Sequence, residues 1–189
     1  MKGSMSYDAN AAYNSDDGVP GHGTSGGYGE EPLGASSPDD LSLPLYGATF
    51  GQAIKRFFKN YVNFKGRASR SEYWFAYLFT QLLSIIPAIL YTFGRVGEVT
   101  SQSMALSGSS AVVDSSGGAI GMGTVGGLLL LLISLATLLP NLAITWRRLH
   151  DANLAGPFYF FVFVPFVGWI ILLIFTISPS KPEGQRFDA

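Results

Sequence analysis

Residues 120–142, IGMGTVGGLLLLLISLATLLPNL, contain no Asp, Glu, Lys or Arg. At a rise of 1.5 Å per residue, about 20 apolar residues cross a hydrocarbon core of roughly 30 Å, so this run alone is long enough to span a bilayer as a helix. It is not alone. Charge-free stretches run from Tyr73 to Gly94, from Ser115 to Trp146 and from Ala152 to Ser180. Their most apolar cores are residues 73–93, 120–142 and 157–177. In hydrocarbon every backbone N–H and C=O must find a partner, and a single apolar run can do that only by forming a helix. The expected fold is therefore an all-α integral membrane protein with three transmembrane helices. The third, 157–177, carries Pro165 and is read as a kinked span, with a re-entrant hairpin turning at Pro165-Phe166-Val167-Gly168 as the alternative.

Composition agrees. Charged residues make up 13% of the 189, about half the usual share of a soluble domain, while 48% are hydrophobic and 14% aromatic. That profile disfavours a soluble enzyme. With no cysteine, the chain has no disulfide, thiolate nucleophile or cysteine metal site. The near-neutral balance of 12 basic and 13 acidic residues hides a partition: seven acids and one lysine precede residue 50, and six basic residues with no acid lie between Lys55 and Arg70. The acidic part, residues 1–48, is rich in Gly, Ser, Asp and Pro and too poor in apolar residues to offset ordering entropy, which predicts a disordered tail. The membrane domain follows over 49–188.

Between tail and first span, Thr49-Phe50-Gly51-Gln52 fits a capping box. Phe50, Ile54, Phe57, Phe58, Tyr61 and Val62 then recur on one helical face, with Lys55, Arg56 and Lys59 off it. An amphipathic helix over 49–64 is expected, lying in the membrane interface or packed against the bundle. A second box, Ser69-x-x-Glu72, sits directly before the first span, with Tyr73 and Trp74 suited to the interfacial aromatic belt. Lys55, Arg56, Lys59, Lys65, Arg67 and Arg70 precede that span and only Arg95 follows it closely. Arg147 and Arg148 close the second span. By the positive-inside rule both observations place the N-terminus in the cytoplasm and the Ser/Gly-rich loop from Arg95 to about Gly118 outside.

Two sets of residues stand out as candidate sites. Arg67, Arg70 and Glu72 at the start of one span share a membrane face with Arg147, Arg148, His150 and Asp151 at the end of another. This predicts a charged cytoplasmic cluster in which Glu72 pairs with Arg147 or Arg148, against the plainer reading of separate caps and anchors. Gly117/Gly121 and Gly123/Gly127 have the small-xxx-small spacing that lets membrane helices approach closely, within or between protomers. The overlapping pattern at Gly121, Gly123 and Gly126 resembles a dinucleotide fingerprint, but it follows no strand and Trp146 stands where the ribose-binding acid belongs.

The stretches Phe64-Lys65-Gly66-Arg67-Ala68-Ser69-Arg70-Ser71-Glu72-Tyr73-Trp74 and Arg147-Arg148-Leu149-His150-Asp151, followed by Pro165-Phe166-Val167-Gly168-Trp169-Ile170 and Gly184-Gln185-Arg186-Phe187, together resemble domain-of-unknown-function family 805. These are small bacterial YhaH-like inner-membrane proteins, and the resemblance covers roughly residues 50–188. It implies a bacterial inner-membrane location and no particular activity. The functional expectation is a non-enzymatic binding or interaction protein whose basic cytoplasmic face meets an anionic lipid or an acidic partner. The alternative is a subunit of a small oligomeric transporter or channel, for which the spans supply Gln81, Ser84, Ser134, Thr137 and Asn141 as mid-depth polar groups. The bilayer and a second copy are the expected partners; no catalytic residue, metal, cofactor or nucleic acid is expected.

Overall fold

A computed structural model describes residues 33–108 and 113–188; the expected tail lies outside these over residues 1–32. Among the described residues there is no strand. Four α-helices, α1 (Phe50–Lys59), α2 (Arg70–Leu106), α3 (Val113–Asp151) and α4 (Gly168–Ile177), are supplemented by 3-10 turns at Gly156–Phe163 and Pro182–Phe187. α2 and α3 are each long and apolar enough to cross a membrane.

Both predicted capping boxes close. Gln52 Oε1 accepts the Thr49 N–H at 2.8 Å, starting α1. At α2, Ser69 Oγ accepts the Glu72 N–H at 3.2 Å while Glu72 Oε2 accepts the Ser69 N–H at 2.9 Å. Neither α2 nor α3 stops where charge first returns. α2 continues through Arg95 and Glu98, an exposed i,i+3 ion pair, to Leu106. α3 begins by Val113. The long loop expected between them is thus mostly helical, because Ser and Gly at a solvated helix end cost only tenths to about 1 kcal/mol each, little against a helix already nucleated.

α2 and α3 run antiparallel, and glycine decides how closely. A Cβ placed on Gly126 would stand 2.3 Å from the Tyr91 backbone nitrogen, and one on Gly94 would stand 2.1 Å from that of Gly123. One turn further out, Gly97 lies against Ala119. Large apolar side chains from Leu78 to Val99 on α2 and from Ile120 to Leu139 on α3 point outward. In water such a surface would be an aggregation hazard; as the flank of a membrane protein it is a lipid-facing belt.

α1 packs along the start of α2. Phe50 meets Phe75 and Phe58 meets Phe79 edge to face, at 5.8 Å between centroids in both pairs. Phe57 is buried beneath them. The helix is shorter than the expected 49–64, ending at Lys59 with the chain turning through residues 60–63.

The third apolar segment differs most from expectation. Residues 157–177 are not one spanning helix. The chain runs inward as a 3-10 helix, turns at Pro165-Phe166-Val167-Gly168 and returns as α4. Phe158 and Phe161, on the way in, both pack on Phe175, on the way out. Gly168 closes the turn, since a Cβ there would stand 1.7 Å from the Phe161 carbonyl oxygen. Pro165 lacks the N–H a continuous helix needs, and Phe166 takes a left-handed φ of 62°, so the backbone reverses rather than kinks. Lys181 N–H then donates to the Asp151 carbonyl at 2.9 Å, so the segment leaves and rejoins the bundle at the same end.

Candidate functional site

The charged residues singled out in the sequence do converge, at the end of the bundle where α2 starts and α3 stops. Their pairing differs from the expected one. Glu72, 2% exposed, binds Arg56 rather than Arg147 or Arg148: Arg56 Nε donates to Glu72 Oε1 in a short contact between two fully buried groups. Glu72 Oε2 meanwhile serves the N–H groups of Ser69 and Leu45, the latter at 3.1 Å. Arg148 pairs with Asp151, one turn along α3, and caps the returning hairpin by donating from Nε to the Thr176 carbonyl at 2.9 Å and from Nη2 to that of Ser178. Arg67 reaches Asp188 at 2.6 Å and lies 3.7 Å from Asp151.

Arg147 is the exception. It is buried, yet its Nε and Nη1 have no hydrogen-bond partner among the described residues. Only its backbone joins the network, accepting from Ala68 N–H at 3.0 Å. Arg70 is exposed at the first residue of α2. His150 stacks on Phe187 at 4.1 Å and 5°, with Nδ1 3.0 Å from the Gly66 carbonyl. Its imidazole is occupied by that wall, while Glu72 and Asp151 are bound to arginines and, for Asp151, to hydroxyls. His150 is thus turned to Gly66 and Phe187 rather than to Glu72 or Asp151.

A segment read as tail completes the knot. Residues 33–48 are laid across it as a strap. Arg56 Nη2 holds the Leu43 carbonyl at 2.6 Å and its Nη1 the carbonyls of Pro38 and Asp40, while Arg67 Nη2 holds that of Leu33 at 2.7 Å. Ser69 Oγ donates to the Leu45 carbonyl at 2.7 Å, and Ser71 Oγ accepts from Ala48 N–H at 3.0 Å. Tyr46 OH donates to Asp151 Oδ1 at 2.8 Å; burial and the neighbouring carboxylate push this phenol above its ordinary value of 10.0. Outside, Lys55 and Lys59 both reach Asp39, at 2.8 and 3.0 Å, and hold its carboxyl down to about 2.

Sequence reasoning missed Arg56, Tyr46, Asp188 and Ser180, whose hydroxyl donates to Asp151 Oδ2. Arg56 was placed with the outward lysines because it lies off the Phe face; its opposite edge of α1 faces α2 and the strap instead. Tyr46, near three prolines at positions 32, 38 and 44, carried the one available signal, since an aromatic beside extended Pro-rich chain is suited to docking.

Of the glycines, Gly123 lies against Gly94 of α2. Gly127 meets only the Tyr91 ring at 3.4 Å, and Gly121 meets nothing within 4 Å. Gly117 is in α3, but its surroundings lie outside the described residues. The seam is built on Gly94, Gly123 and Gly126, two of which the spacing did not flag. No set of three His, Cys, Asp or Glu side chains among the described residues is placed to hold a metal.

A protein-family model described as "Protein of unknown function (DUF805)" matches residues 61–189. The chain belongs to this family. It is 33% identical to the inner membrane protein YhaI of Escherichia coli strain K12 over 129 residues, 68% of this chain and 86% of that protein. It is 30% identical to the inner membrane protein YhaH of the same strain over 131 residues, again 68% of this chain and 87% of the relative. No solved structure matches it. The chain is thus an integral membrane protein, related to proteins of the bacterial inner membrane. The family match starts at Tyr61, after the strap and α1.

Proposed function

We propose that this protein is a non-enzymatic, multi-pass binding protein of the bacterial inner membrane, with N- and C-terminal segments in the cytoplasm, whose cytoplasmic rim binds anionic lipid headgroups. The observation that supports this reading is a division of labour among the cations. Arg56, Arg67 and Arg148 spend their donors on the chain's own carboxylates and carbonyls. Lys65, Arg70, Lys181 and Arg186 remain exposed at the same end, beside the Lys55 and Lys59 edge of α1. Exposed Phe50, Phe58 and Val62 add apolar surface next to those lysines. Each cation near an anionic surface contributes about 1 kcal/mol, and half-exposed aromatics seat at the headgroup boundary. The anionic-group site first expected among the buried arginines is thereby moved outward to Lys65 and Arg70.

The alternative, a transporter or channel subunit, needs a polar path. Polar side chains do gather between α2, α3 and the hairpin, but the backbone contacts of Gly126 with Pro87 and Tyr91, and of Gly94 with Gly123, lie directly beyond them. That favours a pocket over a path within one protomer.

The test is reconstitution of the full chain in nanodiscs, with enrichment of fluorescent phosphatidylglycerol over phosphatidylcholine around the protein as readout. Enrichment that falls with salt and drops several-fold in K65Q/R70Q/K181Q supports the reading; equal enrichment of both lipids overturns it. Saturable binding of an acidic peptide without lipid preference would transfer the rim to an acidic partner. Cysteine accessibility at positions 37 and 186, both exposed, should report the same side.

A further inference from the structure

Gln81, Ser84, Ser134, Thr137 and Asn141 are far apart in sequence and lie within the apolar belt of two helices. The fold gathers all five onto one cavity of about 330 Å³ between α2, α3 and the hairpin, which contributes Tyr159. An adjoining cavity of about 470 Å³ shares Ser134, Thr137, Asn141 and Tyr159 and continues over Leu138, Phe160 and Phe163. The result is an amphipathic recess lined by polar groups of α2 and α3 and, in its second part, also by Leu138, Phe160 and Phe163. Gln81 and Ser134 are exposed at its mouth, which opens sideways from the bundle.

The hydrogen-bonding state of the lining decides what fits. Ser84 and Thr137 donate their hydroxyl protons to the Thr80 and Ile133 carbonyls of their own helices, at 2.9 and 2.7 Å, and present lone pairs to the cavity. The side chains of Gln81, Ser134 and Asn141 make no hydrogen bond to another described residue, so their amide and hydroxyl groups are available in both senses. Polar groups at this depth are costly unless partnered. No Asp, Glu, Lys, Arg or His lines either cavity, so a charged head entering it would lose its hydration without gaining a counter-charge. The occupant must be uncharged, must both donate and accept hydrogen bonds, and must carry an apolar body for the Phe160 and Phe163 side.

We propose that this recess binds a neutral hydroxyl-bearing lipid of the glyceride class, its hydroxyls and ester carbonyls against Gln81, Ser84, Ser134 and Asn141 and its chain leaving past Phe163. A quinone head, which only accepts, can serve neither the Ser84 nor the Thr137 lone pairs, whereas a diacylglycerol hydroxyl serves one of them, so the quinone fits less well. The site is separate from the cationic rim, and its test is independent of the rim's charge.

The full chain in phosphatidylcholine nanodiscs would be photolabelled with a diazirine diacylglycerol, with the phosphatidic acid of the same chains and a diazirine quinone in parallel. Saturable labelling by the diacylglycerol, mapped to peptides around residues 77–84, 134–141 and 159–163 and at least tenfold above the other two probes, is expected. Gln81→Leu/Asn141→Leu should abolish it, and the milder Ser134→Ala, at an exposed position, should reduce it several-fold without changing thermal stability. Equal labelling by all three probes, or undiminished labelling of both variants, overturns the proposal. So does absence of labelling together with a dimer that dissociates on Gln81→Leu, which would make these groups glue for a second copy.

Discussion

At one end of the α2–α3 pair the buried side chains are ionic: Arg56 with Glu72, Arg148 with Asp151, and Arg67 between Asp151 and Asp188. At the other end, Gly94, Gly123 and Gly126 bring two backbones together with no side chain between them. The ionic knot holds peripheral segments, namely the strap, the residue 60–69 turn and the C-terminal tail, through directional bonds to particular carbonyls. The glycine seam holds only the two helices, through dispersion over a close fit. The knot therefore does not tolerate loss of a partner, and the seam does not tolerate added volume.

Substitutions in the knot, the seam and the strap press on that contrast. The largest expected effect is Glu72→Gln, which leaves Arg56 buried without its counter-charge and should cost about 3 to 5 kcal/mol in detergent unfolding. A double-mutant cycle should show coupling above about 1 kcal/mol with Arg56→Gln and near-additivity with Arg148→Gln. Arg147→Met, by contrast, removes a guanidinium that holds nothing, and should fall within about 1 kcal/mol of the parent or above it. A large loss there would show that Glu72 depends on Arg147 as well, and the knot would have to be described as a triad.

Next is the seam. Gly126→Leu drives a side chain into the Pro87–Tyr91 backbone and should cost about 1 to 3 kcal/mol, while Gly121→Leu, which meets nothing, should stay within about 0.5 kcal/mol. Similar losses at both positions would mean that Gly121 is covered by a second copy.

The smallest effect is at the strap. Tyr46→Phe deletes the hydroxyl bound by Asp151 and, at 3.3 Å, by Arg67, and should cost about 0.5 to 1.5 kcal/mol. The same hydroxyl sets a pH dependence. Its proton is held more tightly docked than free, so strap stability is complete below pH 10 and declines as pH rises past that value. Proteolysis at residues 33–48, followed against pH, should rise above pH 10 in the parent and less steeply in Tyr46→Phe. A parent strap indifferent to alkali would detach Tyr46 from the knot.

Much of this architecture could be read from residue order because the responsible physics is local. A charge-free run has to be helical if it lies in a bilayer, and Ser69-x-x-Glu72 caps a helix through bonds three residues long. Even the convergence of Glu72 with Arg147, Arg148 and Asp151 followed from counting spans, since two antiparallel helices return the chain to its starting side. Partner choice did not follow. Which carboxylate meets which guanidinium depends on how α1 and the strap lie across the helix ends, and Arg56 is joined to Glu72 by that packing alone. The hairpin was likewise undecided by composition: 157–177 is apolar enough to span, and it turns back because Phe158 and Phe161 find Phe175 and Gly168 admits the Phe161 carbonyl. Periodicity identified small residues but not the face they occupy, so Gly121 and Gly127 were flagged alongside Gly123, and Gly94 and Gly126 were passed over. Local hydrogen bonding and solvent choice are written in the order of residues, whereas pairing, close approach and the gathering of distant polar groups into one recess depend on the relative placement of elements, which only tertiary packing determines.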